Sequence, residues 1–486
     1  MQKHDEIYEL IQSMDASEKR YFKRYSSIHS DKKDSVSIQI FDVLDKMHFY
    51  SDEKLKSHFK DQKTAQHLHV SKNYLLKNIL KSLRSYHQSF SKESELKDLL
   101  VEIEILSQKK LYHLAYKILL KAYKTAYQYE LFLQILEILQ WISRIQFYDP
   151  SIELENHYNT EEELSKILEV FTWDAKLENY LYLLIRQFNN PVSKIHLKIE
   201  FPDENHPVHS FVSTKSLILF VKSLICQMEG KPQDSFEYLK NAEKLYLDKR
   251  ELIAEKPTRY FLLLSLQVDT AIQLKYFPEA LQTILSAKSI YDSLKTHKIK
   301  AIKDDFDANF VYKLLVIYNS MGKFDNSVEF FETFVAKNPN YSNAFPNHIL
   351  LNIWIQVAYA YFAIGKYTKT LEFLEIIHGT SFENTDYHLP FIFWLNLISV
   401  IHLKQNEKIS YKFDLFQKWL IQKSDYQNLL TFLNNLKPWI FENQIESLIH
   451  NSKKSIFLPE LQNFDLSTWI NAEIKHYTML EYLKNS

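Results

Sequence analysis

Glycine is rare in this sequence, with four residues in a chain of 486, whereas about 7% is usual. Phosphate-binding loops and dinucleotide-binding motifs need several glycines close together, so both kinds of nucleotide site are excluded. Because glycine weakens helices, a chain that almost lacks it favours an all-α fold.

Cysteine and net charge are also scarce. A single cysteine, Cys226, excludes an internal disulfide and a zinc site built from cysteines. The formal net charge is −1, so no overall field attracts nucleic acid or a membrane. The first residues lack the apolar run of a secretion signal. The most apolar stretch, 389–403, is shorter than the roughly 18 residues of a bilayer span and reads as a buried helix. We therefore expect a cytoplasmic protein.

Apolar material is abundant. Hydrophobic residues make up 46% of the chain, with 33 Phe and 31 Tyr, which is enough for a large core and excludes disorder over most of the length. Because 486 residues are many for one core, we expect several domains or a repeat array.

Residues 309–332 recur at an offset of 43 residues. Seven positions are identical, and an eighth exchanges Phe324 for Tyr367. Such self-similarity at one offset indicates internal repetition. The identical pairs are Asn309/Asn352, Tyr318/Tyr361, Gly322/Gly365, Lys323/Lys366, Glu329/Glu372, Phe330/Phe373 and Glu332/Glu375.

Each repeat has the pattern of two helices with a tight turn at the glycine. A residue that ends a helix often needs positive φ, which glycine adopts without steric cost. We predict that Gly322 is the hinge between two helices. Gly230 and Gly365 occupy the same position, where two other units have Lys275 and Lys110.

This pattern resembles the tetratricopeptide repeat family over about 97–128 and 213–425. The best-matching unit has Trp354, Ala358, Tyr361, Gly365 and Tyr367 at the family's spacing. The units here recur every 43 to 47 residues, which is longer than the family's period. The resemblance implies an all-α, irregular solenoid of antiparallel helix pairs.

The other segments differ in pattern. Residues 1–92 predict a basic helical domain, loosely like a helix-turn-helix module, with helices near 3–13, 17–28, 36–48, 51–60 and 70–88. Residues 93–188 form a first helical section, whose part from 129 onward lacks the hinge signature. Residues 189–212 predict an extended, proline-containing linker, 213–425 the repeats, and 426–486 capping helices.

The predicted helix 70–88 lies in a basic segment, because Lys54 to Lys92 carries a net charge of +8. We expect its core face to hold Leu76, Ile79, Leu80 and Leu83. Its opposite face offers possible phosphate contacts. The simpler alternative is an ordinary solvated face. The residues concerned are Lys72, Lys77, Lys81 and Arg84.

The resemblance implies that certain positions on the first helix of each unit face a peptide-binding groove. Two asparagines at equivalent positions could bond an extended peptide backbone, with aromatic residues supplying buried area. The alternative, equally open, is that the groove closes and these residues are core. The positions are Asn309, Tyr312, Val316, Asn352, Ile355 and Tyr359.

Other candidate chemistry has plainer explanations. His58, His67 and His69 lack a nearby carboxylate or cysteine that would complete a metal site. Cys226 falls where an inert, buried thiol is expected. Thr160 and the acids after it fit a capping box at a helix start.

We therefore predict a non-catalytic scaffold that binds a protein or peptide in its groove, without a cofactor, a metal or a membrane contact. The alternative is a transcription-regulator-like protein with N-terminal nucleic-acid-binding helices and a helical sensor domain.

Overall fold

The computed structural model is all-α. It describes residues 5–28, 34–59, 68–88, 91–152, 160–189, 199–294, 300–379, 388–423, 426–442, 444, 446 and 464–485. Every regular element within these ranges is helical. The first nine helices are α1 (Glu6–Ser13), α2 (Ala16–Ile28), α3 (Asp34–Asp45), α4 (Asp52–Ser57), α5 (Leu68–His87), α6 (Lys92–Gln108), α7 (Tyr112–Gln128), α8 (Phe132–Tyr148) and α9 (Thr160–Asn189).

Within the described ranges, sixteen further helices follow a short 3-10 turn at Pro207–Ser210. They are α10 (Val212–Met228), α11 (Pro232–Asp248), α12 (Glu251–Glu255), α13 (Pro257–Gln273), α14 (Phe277–Ser293), α15 (Lys300–Ser320), α16 (Phe324–Lys337), α17 (Tyr341–Ala344), α18 (Asn347–Ala363), α19 (Tyr367–Gly379), α20 (Leu389–His402), α21 (Asn406–Ile421), α22 (Gln427–Asn435), α23 (Lys437–Glu442), α24 (Leu466–Ile474) and α25 (Met479–Asn485).

The chain forms two compact units. The N-terminal unit comprises Met1–Tyr180, Leu197–Leu217 and Asp248–Pro257. The C-terminal unit comprises Leu181–His196, Ile218–Leu247 and Thr258–Ser486.

The five N-terminal helices lie within a few residues of their predicted positions. Helix α5 packs against α2 and α3, around a core that includes Phe22, Phe41 and Ile79. One prediction about α5 is wrong: Leu80 is 51% exposed, whereas Leu75 is fully buried. The core face is therefore rotated from the predicted one, because Leu75 and not Leu80 points at the facing helices.

The predicted hinges are confirmed. Gly230, Gly322 and Gly365 have φ of 72°, 70° and 78°, and Lys110 and Lys275 have φ of 58° and 62°. At Gly322, the glycine N–H donates to the carbonyl oxygen of Asn319 (3.0 Å), and the next N–H donates to that of Tyr318 (2.9 Å). This is the Schellman arrangement, which pairs carbonyl groups that a helix end otherwise leaves free.

Three more hinges of the same kind escaped prediction. Glu130, Lys404 and His476 have φ of 53°, 53° and 56°, with the same pair of backbone hydrogen bonds. The expectation that 129–188 lacks a hinge is therefore wrong, since Glu130 ends α7 and α8 begins at Phe132. The prediction missed these hinges because none has glycine or fits the repeat offset.

Glu130 has a second role in the N-terminal unit. Its side chain is 2% exposed and accepts hydrogen bonds from the backbone N–H groups of Val212 (3.0 Å) and Ser213 (2.7 Å). Lys249 Nζ also donates to it, at 2.7 Å. A carboxylate from a remote hinge thus caps the first turn of α10, where the helix dipole favours negative charge.

The same device starts α6. Both carboxylate oxygens of Glu255 accept hydrogen bonds from backbone N–H groups, one from Lys92 and one from Glu93, each at 2.9 Å. Because both glutamates lie far along the chain from the helices they cap, these bonds fasten distant segments of the unit together.

The C-terminal unit has a continuous core in which α18 and α20 are almost wholly buried. In this unit α15 packs on α16, α16 on α18, α18 on α19, α19 on α20 and α20 on α21. The apolar stretch 389–403 forms α20, buried as expected. Trp394 lies in the core with its ring 5.1 Å from that of Trp469.

The last helix, α25, covers two hinges. A Cβ added to Gly322 would lie 2.7 Å from Leu483 Cδ1, and one added to Gly365 would lie 2.7 Å from Thr478 Cγ2. Gly230 has open space at the same point. Glycine at 322 and 365 therefore serves close packing as well as backbone conformation.

Part of the predicted linker 189–212 lies outside the described residues, namely 190–198. Residues 199–206 have no regular secondary structure. None of the helices within the described ranges is both long enough and apolar enough to cross a lipid bilayer.

Candidate functional site

The C-terminal unit contains a cavity of about 340 Å³ lined by residues of α13, α14, α15 and α18. A second cavity of about 240 Å³ continues it toward α10 and the end of α9. We call the two together the α13–α15 groove. The residues common to both cavities are Leu262, Ser265, Asn309 and Lys313.

Several lining residues occupy equivalent positions in successive sequence repeats. Thr258, Asp305 and His348 each lie 17 residues before their hinge. Leu262 and Asn309 each lie 13 residues before theirs. Residues at equal distance from a hinge share a helix face, so α13 and α15 turn the same face to the groove.

Lys313 supplies a buried positive charge. The residue is 7% exposed, and its ammonium forms an ion pair with the carboxylate of Asp269, whose side chain is 47% exposed. Because an ammonium group has three N–H donors, this pair leaves Lys313 with donors for a ligand. Sequence comparison at the repeat offset missed Lys313, since its counterpart in the next unit is Gln356.

Asn309 and Asp305 add acceptors. Asn309 Nδ2 donates to the backbone carbonyl oxygen of Asp305 at 2.9 Å, which orients the amide and leaves Oδ1 as an acceptor. The carboxylate of Asp305 lies on the rim of the larger cavity. Together with Asp269, it gives the groove two carboxylates beside one ammonium.

An aromatic cluster forms one wall of the groove. The ring of Phe306 lies 3.9 Å from that of Tyr291 in a stacked arrangement and 4.8 Å from that of Phe261. Burial raises the pKa of Tyr291, so its hydroxyl stays neutral. Lys288 lies over the rings of Tyr291 and Phe306. These contacts fix the apolar wall before any ligand arrives.

The predicted groove residues have different surroundings in the structure. Asn309 lines both cavities. Tyr312, Val316 and Asn352 are half-buried and lie outside both cavities. Their side chains therefore do not contribute to the α13–α15 groove.

Ile355 and Tyr359 are core residues rather than groove residues, with exposures of 5% and 4%. The ring of Tyr359 contacts those of Phe391 and Phe464, and burial raises the pKa of its hydroxyl. The interior is thus filled around Ile355 and Tyr359, whereas the larger cavity borders the start of α18 at His348 and Ile349.

Of the four predicted phosphate contacts on α5, one is paired within the fold and three are exposed to solvent. Lys72 forms an ion pair with Asp5, and its Nζ donates to Tyr50 Oη at 2.9 Å. It is therefore occupied within the fold. Lys77, Lys81 and Arg84 are exposed.

The structure places the other candidates apart. His58 and His69 line different cavities, and His67 lies outside the described residues. Across the part of the chain that is described, no three His, Cys, Asp or Glu side chains gather in a way that could hold a metal ion. Cys226 is half-buried, and burial raises the pKa of its thiol.

Comparison of the chain with protein-family models, with curated proteins and with solved structures finds no match in any of the three. The structure itself is all-helical, with many packed helices, as in helical repeat proteins.

Proposed function

We propose that this protein is a helical-repeat scaffold that binds a segment of another protein in the α13–α15 groove. The observation that carries the proposal is the recurrence of lining positions at the same distance from successive hinges. An irregular solenoid of helix pairs, like that of tetratricopeptide repeat proteins, would place those positions along one continuous surface. Repeat proteins use such surfaces to bind other proteins.

The groove's chemistry defines the ligand class. The larger cavity, of about 340 Å³, is lined mainly by apolar and aromatic side chains, which suits one bulky apolar side chain. Asn309 Oδ1 and the ammonium of Lys313 offer an acceptor and a donor beside it, as an extended peptide backbone requires. Asp305 and Asp269 favour a basic residue next to the apolar anchor.

Binding, and not catalysis, is the proposed role. The charged side chain deepest in the groove, Lys313, is already neutralised by Asp269. Its donors are placed to orient a ligand. The preformed aromatic wall lowers the entropic cost of association, because little has to be ordered on binding.

A peptide selection with matched tryptophan variants tests the proposal. Random peptides displayed on phage are selected on the purified protein, and enriched peptides are titrated by fluorescence anisotropy. Ser265→Trp fills the groove, whereas Ser320→Trp makes the same substitution at an exposed site at the end of α15. We expect enriched peptides to carry a bulky apolar residue near a basic one. Their affinity should fall at least tenfold with Ser265→Trp only.

Equal affinity for both tryptophan variants would contradict the proposed site. Failure to enrich any peptide above the level on an unrelated protein would contradict the proposed function.

A further inference from the structure

A stripe of positive charge runs along α5 of the N-terminal unit. Lys77, Lys81 and Arg84 lie one turn apart on a single helix face, and all three are exposed. Within the described residues, the structure gives no ion pair to any of them. They differ in this from Lys72 on the same helix, which Asp5 neutralises. We call these three residues the α5 stripe.

The surroundings of the α5 stripe are also positive. Helices α2, α3 and α5, which pack together, carry eight lysine and arginine residues and four acids, three of which are on α3. Two of the lysines of α2 pair with α3, Lys19 with Asp45 (2.7 Å) and Lys23 with Asp42 (2.6 Å). Arg20 and Arg24 remain exposed. The charge of the stripe is thus reinforced by its neighbour.

A second row of lysines in the N-terminal unit has the same spacing as the α5 stripe but lies beside an acidic helix. Lys117, Lys121 and Lys124 on α7 are exposed at the same i, i+4, i+7 spacing. The helix packed against them, α6, carries five acids and two lysines. Helices α6 and α7 therefore cancel in charge, whereas α2 and α5 do not.

The face of α5 also carries groups that suit contact with bases. Tyr74 is 42% exposed and Val70 66% exposed, and Asn73 is exposed beside them, so all three precede the cations on the same side. A helix of 20 residues is about 30 Å long. Such a helix fits the major groove of B-form DNA, whereas the major groove of A-form RNA is too narrow.

We propose that the α5 stripe is a binding surface for duplex DNA. Lys77, Lys81 and Arg84 contact phosphates, Arg20 and Arg24 extend the contact, and Asn73 and Tyr74 approach the base edges. This site is separate from the α13–α15 groove and does not depend on the function proposed for it.

The test uses the salt dependence of binding. A fluorescent 30-base-pair DNA duplex is titrated with the full-length protein from 50 to 200 mM NaCl. The slope of log K against log salt is negative, and each lost phosphate contact reduces its magnitude by about 0.9. We therefore expect Lys77→Ala/Lys81→Ala/Arg84→Ala to reduce the magnitude by about 2 to 3. Lys117→Ala/Lys121→Ala/Lys124→Ala, with the same loss of charge, should reduce it by less than about 1.

Four results would overturn the proposal: no DNA binding at 50 mM NaCl, equal slopes for the wild type and the α5 variant, an equal loss in the α7 variant, or tighter binding to double-stranded RNA or to phosphatidylserine vesicles. Circular dichroism of both triple variants checks that they fold. Since all six residues are exposed, we expect unchanged spectra.

Discussion

At the residue scale, five hinges in the described part of the chain adopt the left-handed conformation although their residues carry side chains. The left-handed conformation costs a residue with a Cβ roughly 1–2 kcal/mol. Glycine avoids this strain, but it loses more conformational entropy on folding, which offsets part of the advantage. The sequence tolerates this cost because the Schellman hydrogen bonds and the packing of the flanking helices hold the turn. The hinges are Lys110, Glu130, Lys275, Lys404 and His476.

Lys275→Gly should therefore stabilise the protein. We expect a gain of about 0.5–1 kcal/mol in the free energy of unfolding, because strain at φ 62° is relieved. Lys323→Gly is the matched control. Because Lys323 has φ −87°, glycine relieves no strain there and only raises the entropy of the unfolded chain, so we expect no gain in stability. Urea denaturation measures both; a loss of stability with Lys275→Gly would contradict the account of this hinge.

The buried carboxylate of Glu130 leads to a second prediction at this scale. Glu130→Gln removes the charge that caps α10 and pairs with Lys249, so we expect a loss of about 3 kcal/mol. Glu229→Gln breaks an exposed pair with Lys231 and should have little effect on the free energy of unfolding. Similar unfolding midpoints for the two variants in urea would show that Glu130 is not a structural anchor.

At the scale of the helix, the sequence did not predict which part of the protein α25 contacts. Its amphipathic pattern predicted a cap on the end of the repeat stack, and the structure lays it over the hinges at Gly322 and Gly365. Pattern alone could not show this, because contact between a hinge and a helix more than 100 residues later depends on packing.

A double-mutant cycle tests this docking. Gly365→Ala should cost about 3 kcal/mol, from backbone strain and from overlap with Thr478 Cγ2. Thr478→Ser removes that methyl group but keeps the hydroxyl that accepts from the Glu481 N–H (3.1 Å). In the serine background the cost of Gly365→Ala should fall to about 1–1.5 kcal/mol. Additive costs in thermal or urea unfolding would place α25 elsewhere.

Helix α20 begins next to a histidine that titrates below its usual range. Burial lowers the pKa of His388 beneath its ordinary value of 6.5. As the pH falls below about 6.5, the unfolded chain takes up a proton first, so the free energy of unfolding decreases. We expect His388→Asn to weaken this decrease between pH 6.5 and 5. Urea unfolding of the wild type and of His388→Asn at several pH values measures the difference, and an equal decrease in the two proteins would contradict this account of His388.

At the scale of the whole molecule, composition and repetition were enough to predict an all-α chain. Glycine scarcity favoured helices, and the offset that aligns Gly322 with Gly365 located the hinges. The hinges at Glu130, Lys404 and His476 escaped because the left-handed conformation is there imposed by packing and not by residue type. The sequence therefore defined the fold class better than the number of hinges.

The candidate groove was predicted only in part. Equivalence between repeats pointed to Asn309, which lines both cavities, but it could not show whether a groove is open or filled. Along α18 the ring of Phe464, from a distant segment, packs on Tyr359. Along α13 and α15 space remains. This difference depends on long-range packing that no repeat offset contains.

Substitution of the two asparagines at the repeat offset tests most directly whether a peptide binds along α15 or along α18. A peptide selected on the wild-type protein is titrated against Asn309→Ala and Asn352→Ala by fluorescence anisotropy. We predict that Asn309→Ala raises Kd about tenfold, equal to about 1.4 kcal/mol, while Asn352→Ala changes it less than twofold. Equal effects of the two substitutions, or a larger effect of Asn352→Ala, would contradict binding in the α13–α15 groove.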